Sequence, residues 1–100
     1  MNTEEEYGTR ELERDFGPLT FGRAIESIRK CEEISQKEFA LKLGISAQSL
    51  CDIEKGRRIP SPSRAAKIAR QIQEPEDYWI QLAFQDMLRK EQLDFKVLVG

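Results

Sequence analysis

Between Ser35 and Gly56 the chain carries two helix starts and two helix stops in quick succession. Ser35 with Glu38 forms a capping box, in which the serine hydroxyl accepts from the Glu38 amide and the glutamate reaches back to the Ser35 amide. The residues that follow, about Gln36 to Leu43, turn Phe39, Ala40 and Leu43 to one face. Gly44 comes straight after the last apolar residue, where a left-handed residue ends a helix. Ser46 caps the next segment, about Ala47 to Lys55, with Leu50 and Ile53 inward, and Gly56 ends it. So tight a sequence of caps leaves room for two short helices and a sharp bend.

Two such helices joined by Gly44-Ile45-Ser46 have the helix-turn-helix layout, here running from about Gln36 to Glu54. The second helix of such a pair enters the major groove of DNA by its N-terminal end. The layout makes demands that these residues meet. Ala40 must be small because the second helix crosses close to the first. Ile45, Leu50 and Ile53 anchor that helix to the core.

The rest of the chain supplies more helices. Thr20 is a candidate N-cap for about Phe21 to Cys31, in which Phe21, Ala24, Ile25 and Ile28 recur with helical spacing. Ser61 and Pro62 start a further helix with Ala65, Ile68, Ala69 and Ile72 on one face, since proline suits the first helical position. Pro75 stops it. Glu76 and Asp77 open the last helix, about Pro75 to Lys90, where its dipole favours negative charge. Tyr78, Trp79, Ile80, Leu82, Ala83, Phe84, Met87 and Leu88 cover most of that helix, so it needs burial on more than one side. One side suits the other helices and the second suits a copy of the same chain. Leu93, Phe95, Val97 and Val99 alternate, which reads as a strand. A lone strand would pair across a dimer or with another protein. The expected architecture is all-α, five helices with a C-terminal β-strand pairing across a dimer. Residues 1–18 are expected to form an acidic mobile arm, 19–74 the DNA-binding domain, and 75–100 a segment for dimerisation or partners.

Charge is distributed unevenly. The net charge is −2, but residues 17–73 carry eleven Lys/Arg against six Asp/Glu. Residues 1–16 and 74–100 are acidic, with six acids in each against two and three bases. A basic middle block between acidic ends points to an anionic partner for the middle. No apolar run approaches the roughly 18 residues that span a bilayer, and Met1 to Glu6 is acidic where a signal peptide is basic and then apolar. A cytoplasmic setting without a membrane partner is expected. Cys31 and Cys51 show no metal or redox spacing. The chain has no histidine, and it shows no nucleophile–base pair, no metal-ligand spacing and no phosphate loop. No cofactor, metal or catalytic residue is expected, and an enzyme is the least favoured reading.

Several stretches together resemble the XRE family, the regulators related to the phage Cro and CI repressors. They are Phe21 to Arg29, Ile34 to Ala40, Leu43 to Ser46, Leu50, Ile53 to Gly56, and Pro60. The likeness covers about residues 20–72 and implies a lambda-repressor-like five-helix bundle that binds double-stranded DNA as a homodimer. It also implies roles. Gln36, at a helix N-terminus, would bond a backbone phosphate, and Lys55 and Arg57 match further phosphate-contacting positions, with Arg58 and Ser46 beside them. Ala47, Gln48 and Asp52 match positions that face bases, and Ser49 sits next to them. Glutamine can make two hydrogen bonds to an adenine edge, so Gln48 is the foremost reader. An acid such as Asp52 suits DNA if it accepts from a cytosine amine or points aside. Arg29 and Glu54 match a buried ion pair tying the first helix to the third. Glu33 stands where the family often has glycine, which lengthens or strains that turn.

The expected function is a sequence-specific transcriptional regulator, a repressor acting on a partly palindromic operator. The alternative is an antitoxin that also represses its own operon, because Glu74 to Ala83 resembles a segment of HigA-type antitoxins and an acidic arm suits a basic toxin. A protein-interaction module that no longer binds DNA is a third reading. Trp79, Ile80, Phe84, Leu93, Phe95 and Val97 are the candidate dimer or partner residues.

Overall fold

The computed structural model describes residues 19–91. Five helices follow one another: α1 (Phe21–Cys31), α2 (Gln36–Leu43), α3 (Ala47–Glu54), α4 (Pro62–Gln71) and α5 (Glu76–Lys90). Four start on the expected hydroxyls. Thr20, Ser35, Ser46 and Ser61 accept from the amides of Arg23, Glu38, Ser49 and Arg64 at 3.1, 3.1, 3.0 and 3.2 Å. Each such cap satisfies an amide that the helix cannot, worth about 1 kcal/mol. Two boundaries move by one residue: Lys55 is the C-cap of α3 and Pro75 the N-cap of α5.

The helix ends share one device. After α1, α2, α3 and α4 the chain takes a single left-handed residue and folds two amides back onto the last turn. Gly44 and Gly56 fill this position at φ 73° and 79°. Glu33 and Gln73 fill it at φ 57° and 58°. The Glu33 turn is therefore strained by its side chain and keeps its length, with Ile34 N–H reaching the Arg29 carbonyl at 3.4 Å.

The expected architecture is corrected in one respect. All regular structure among the described residues is helical and none of them forms a strand, so the described fold is five helices and a C-terminal β-strand is no part of it. Alternation alone is weak support for a strand, because one strand has no ladder partner within a five-helix chain. Leu93, Phe95 and Val97, like the acidic arm 1–18, lie outside the described residues.

One core joins all five helices. Phe21 and Ile25 of α1, Phe39, Ala40 and Leu43 of α2, Leu50 and Ile53 of α3, Ala65, Ile68 and Ala69 of α4, and Trp79 and Ala83 of α5 are buried together. Phe21 and Trp79 meet edge to face with ring centroids 5.1 Å apart, an arrangement worth about 0.5–1.5 kcal/mol beyond area burial. Trp79 belongs to the chain's own core, where it is 1% exposed.

Two contacts lock α1 in place. Gly22 is buried where α1 passes the end of α3, and an added methyl carbon would overlap the Ile53 carbonyl oxygen and lie 3.0 Å from that of Glu54. Beside it at the start of α1, Asp86 of α5 accepts the Phe21 amide on Oδ2 at 2.9 Å and Arg89 on Oδ1 at 2.9 Å. Burial pushes the Asp86 carboxyl above its ordinary range, and the Phe21 amide and Arg89 pull it back only in part.

Gly22→Ala is expected to destabilise the fold by about 1–3 kcal/mol, the usual cost of overpacking, seen as a lower urea midpoint. An unchanged midpoint would mean that α1 and α3 part without cost. Asp86 is expected to titrate in the folded chain above the ordinary value of about 3.9. Because folding then favours its protonated form, its contribution to stability is full below the unfolded pKa and declines as pH rises through the folded one. An NMR titration checks this, and a midpoint below the ordinary value would refute it.

Candidate nucleic-acid interface

The start of α3 is the exposed edge of the bundle. Leu50, Ile53 and Glu54 point inward, which turns Ala47 and Gln48 out to solvent and leaves Ser49 and Asp52 half-buried beside them. Ser46 caps this end, so the positive end of the helix dipole is presented with the same residues. Gly56 then reverses the chain. Its turn sends the amides of Arg57 and Arg58 back to the Asp52 carbonyl at 2.8 and 3.2 Å. Lys55, Arg57 and Arg58 are thereby exposed along the C-terminal end of α3.

Gln36 is the first residue of α2. Its Nε2 donates to Glu54 Oε1 at 2.9 Å. A carboxylate only accepts, so the nitrogen of this amide must face Glu54. One N–H is committed there and the second can serve an acceptor such as a phosphate. Glu54 also receives one edge of the Arg29 guanidinium, Nε at 2.8 Å and Nη2 at 3.0 Å. Arg29 adds a bond to the Ile34 carbonyl at 3.1 Å. The glutamate hydrogen bond raises the Arg29 guanidinium's pKa against the lowering effect of its burial. This cluster sets the height of Gln36 relative to α3.

The exposed face has a network that spacing alone did not bring out. Gln48 Nε2 donates to Asp52 Oδ1 at 3.0 Å, and Arg57 Nε donates to the same oxygen at 3.1 Å. Arg58 Nη1 donates to Ser49 Oγ at 3.2 Å. Asp52 thus points along α3 into its own neighbours. A Gln–Asp pair four residues apart on a helix was a legible signal for the first bond. The bonds from Arg57 and Arg58 depend on the Gly56 reversal.

Of the residues expected at bases and phosphates, Ala47, Gln48, Ser49 and Asp52 share α3 with its cap Ser46, Lys55, Arg57 and Arg58 follow directly at its C-terminal end, and Gln36 is held to α3 through Glu54. The candidate partner residues separate. Trp79 is core, Ile80 is half-buried and Phe84 is exposed. Tyr78 and Met87 of the same helix are also exposed. Cys31 and Cys51 are free thiols. No helix among the described residues is long and apolar enough to cross a membrane.

Comparison with known proteins agrees with this geometry. A helix-turn-helix family profile matches residues 25–79. The chain belongs to the helix-turn-helix family. This is the XRE type that the sequence resembles, a family of DNA-binding regulators rather than enzymes. Among curated proteins, the endothelial differentiation-related factor 1 homolog of Gallus gallus is 38% identical over 64 residues, 64% of this chain and 43% of that protein. The Homo sapiens factor is 36% identical over the same shares. The uncharacterized HTH-type transcriptional regulator YazB of Bacillus subtilis is 46% identical over 41 residues, 41% of this chain and 59% of that protein. The chain thus spans less than half the length of the first two. No solved structure gives a significant match.

The Arg29–Glu54 pair generates a stability prediction. The Glu54 side chain is 1% exposed and that of Arg29 is 14% exposed. Glu54→Ala leaves a mostly buried guanidinium unpaired and is expected to cost about 3–5 kcal/mol in chemical denaturation. A loss below about 1 kcal/mol, the value of an exposed pair, would refute a structural role for the cluster.

Proposed function

We propose that this protein is a sequence-specific DNA-binding transcriptional regulator, a repressor that acts as a homodimer on a partly palindromic operator in the cytoplasm. The observation that carries the reading is the exposed N-terminal face of α3, with Lys55, Arg57 and Arg58 exposed directly after the same helix. An α-helix presented this way fits the major groove, and the exposed cations after it suit the phosphate backbone. Family membership and the printed description of the Bacillus subtilis relative as an HTH-type transcriptional regulator support it. Gln48 and its neighbours read bases, while Gln36, Ser46, Lys55, Arg57 and Arg58 hold phosphates. Phosphate contacts make affinity fall with salt, by a log–log slope of about 0.9 per contact.

The dimer reading rests on α5. Tyr78, Phe84 and Met87 are exposed on a helix whose Trp79 and Ala83 are already buried in the protomer. A second copy docked there would supply a second α3, and helix-turn-helix dimers bind two half-sites about one DNA turn apart. A second reading, an antitoxin that also represses its operon, draws on the exposed acids Glu74, Glu76 and Asp77 at the start of α5, which suit a basic toxin.

Fluorescence anisotropy against a duplex selected from a random library, beside a scrambled duplex, tests the regulator. The selected duplex is expected to bind two chains, to lose affinity with salt, and to lose about 5- to 150-fold on Gln48→Ala, the worth of one bidentate base contact. Equal, weak binding to both duplexes would instead favour a protein-interaction module. Co-purification with a small basic protein would favour the antitoxin.

A further inference from the structure

We propose that Asp52 is the specificity-determining residue of the α3 face, setting the base preference of Gln48 and restraining Arg57 from indiscriminate phosphate binding. The inference rests on the regulator reading above and deepens it. Gln48 Nε2 and Arg57 Nε both donate to Asp52 Oδ1, at 3.0 and 3.1 Å. The carboxylate has no hydrogen to give, so the amide of Gln48 can face it only with nitrogen. The Gln48 oxygen is then directed away from Asp52. Held this way, residues 48 and 52 present an acceptor-rich edge.

Base edges answer such an edge differently. In the major groove guanine shows two acceptors, adenine shows an acceptor beside its N6 donor, and cytosine shows its N4 donor. The Gln48–Asp52 pair therefore suits an adenine or a cytosine amine beneath it and is repelled by the O6 and N7 of guanine. A free glutamine would have no such bias, because rotating its amide exchanges donor for acceptor.

The other arm of the network concerns Arg57. Its Nε is engaged with Asp52, its Nη2 lies 3.9 Å from Cys51 Sγ, and its side chain is 57% exposed. Its charge is offset by an acid one helical turn away from the DNA-facing end. Asp52 also sets an anion near the phosphates of any duplex. Both effects weaken binding to all sequences alike, so Asp52 lowers affinity in general while it sharpens choice. The Asp52 side chain is 26% exposed, which leaves its replacement compatible with the fold.

The experiment uses the full chain, as wild type, Asp52→Ala and Asp52→Asn, with circular dichroism melts for each. Each variant is put through random-library selection, then anisotropy with the duplex selected by wild type and with a scrambled one, across a salt series. Asp52→Ala is expected to bind scrambled DNA more tightly, with a log–log salt slope steeper by about 0.9, the value of one added phosphate contact. Its preference for the selected duplex is expected to fall by at least about fivefold, the lower worth of one base contact. Asp52→Asn, which can donate, is expected to admit guanine at a position where wild type selects adenine or cytosine. If wild type discriminates and both folded variants keep its preference and salt slope, the assignment of Asp52 is overturned and the regulator stands. Equal weakening of both duplexes by Asp52→Ala overturns it as well. If wild type itself shows no preference among duplexes, the regulator reading falls, and the role of Asp52 with it.

Discussion

Glu54 is the point at which three helices are fastened. It is the last residue of α3, and its buried carboxylate takes two donors from Arg29 of α1 and one from Gln36 of α2. Burying one carboxylate is costly, and the ion pair that compensates it adds little net stability over a well-packed apolar group. Its value is geometric. An apolar residue at this position would pack in several ways, whereas a carboxylate with three fixed donors packs in one. Gly22 works to the same end from the other side, because only a residue without a side chain lets α1 lie against the Ile53 and Glu54 carbonyls. The orientation of α3, and hence of every residue on its exposed face, follows from these two contacts.

Much of the fold was legible because it is local. A serine or threonine hydroxyl placed before an apolar periodic run finds its amide within three residues, and all four such caps form. Gly44 and Gly56 end helices for an equally local reason. The left-handed residues Glu33 and Gln73 carry no such mark, since a glutamate or glutamine adopts that conformation only when the surrounding packing makes up the strain. Asp86 was illegible for a different reason. Its bond to the Phe21 amide crosses 65 residues of sequence, and no periodicity announces a pairing of that kind. Trp79 shows the limit of reading a helix by composition. The all-round apolar pattern of α5 does not say which residue meets which, and the tryptophan was taken by the core.

The alternation at residues 93–99 is a related case. A period of two is a statement about one segment, while a strand is a relation between two. The helical periods of α1 to α4 each point to neighbours already present in the same chain. The alternation at residues 93–99 points to no second strand in the sequence, and so that pattern had the least power to decide structure.

Two glutamines show how burial assigns different work to the same chemistry. Gln36 and Gln48 each donate Nε2 to a carboxylate of α3, at 2.9 and 3.0 Å. The acceptor of Gln36 is buried and shared with Arg29, so breaking that bond would leave a desolvated charge short of a donor, at a cost of about 1–3 kcal/mol or more. The acceptor of Gln48 is partly open to water. A hydrogen bond there has a net worth of about 0.5–1.5 kcal/mol, which is no more than a base edge offers in return. Gln36 is therefore held as part of the frame, with one spare N–H in a fixed direction. Gln48 is held less deeply, its nitrogen turned to the more open Asp52 carboxylate and its oxygen left to the surface. The same amide chemistry thus gives a framework bond at Gln36 and a surface bond at Gln48, and the difference comes from the depth of the partner carboxylate.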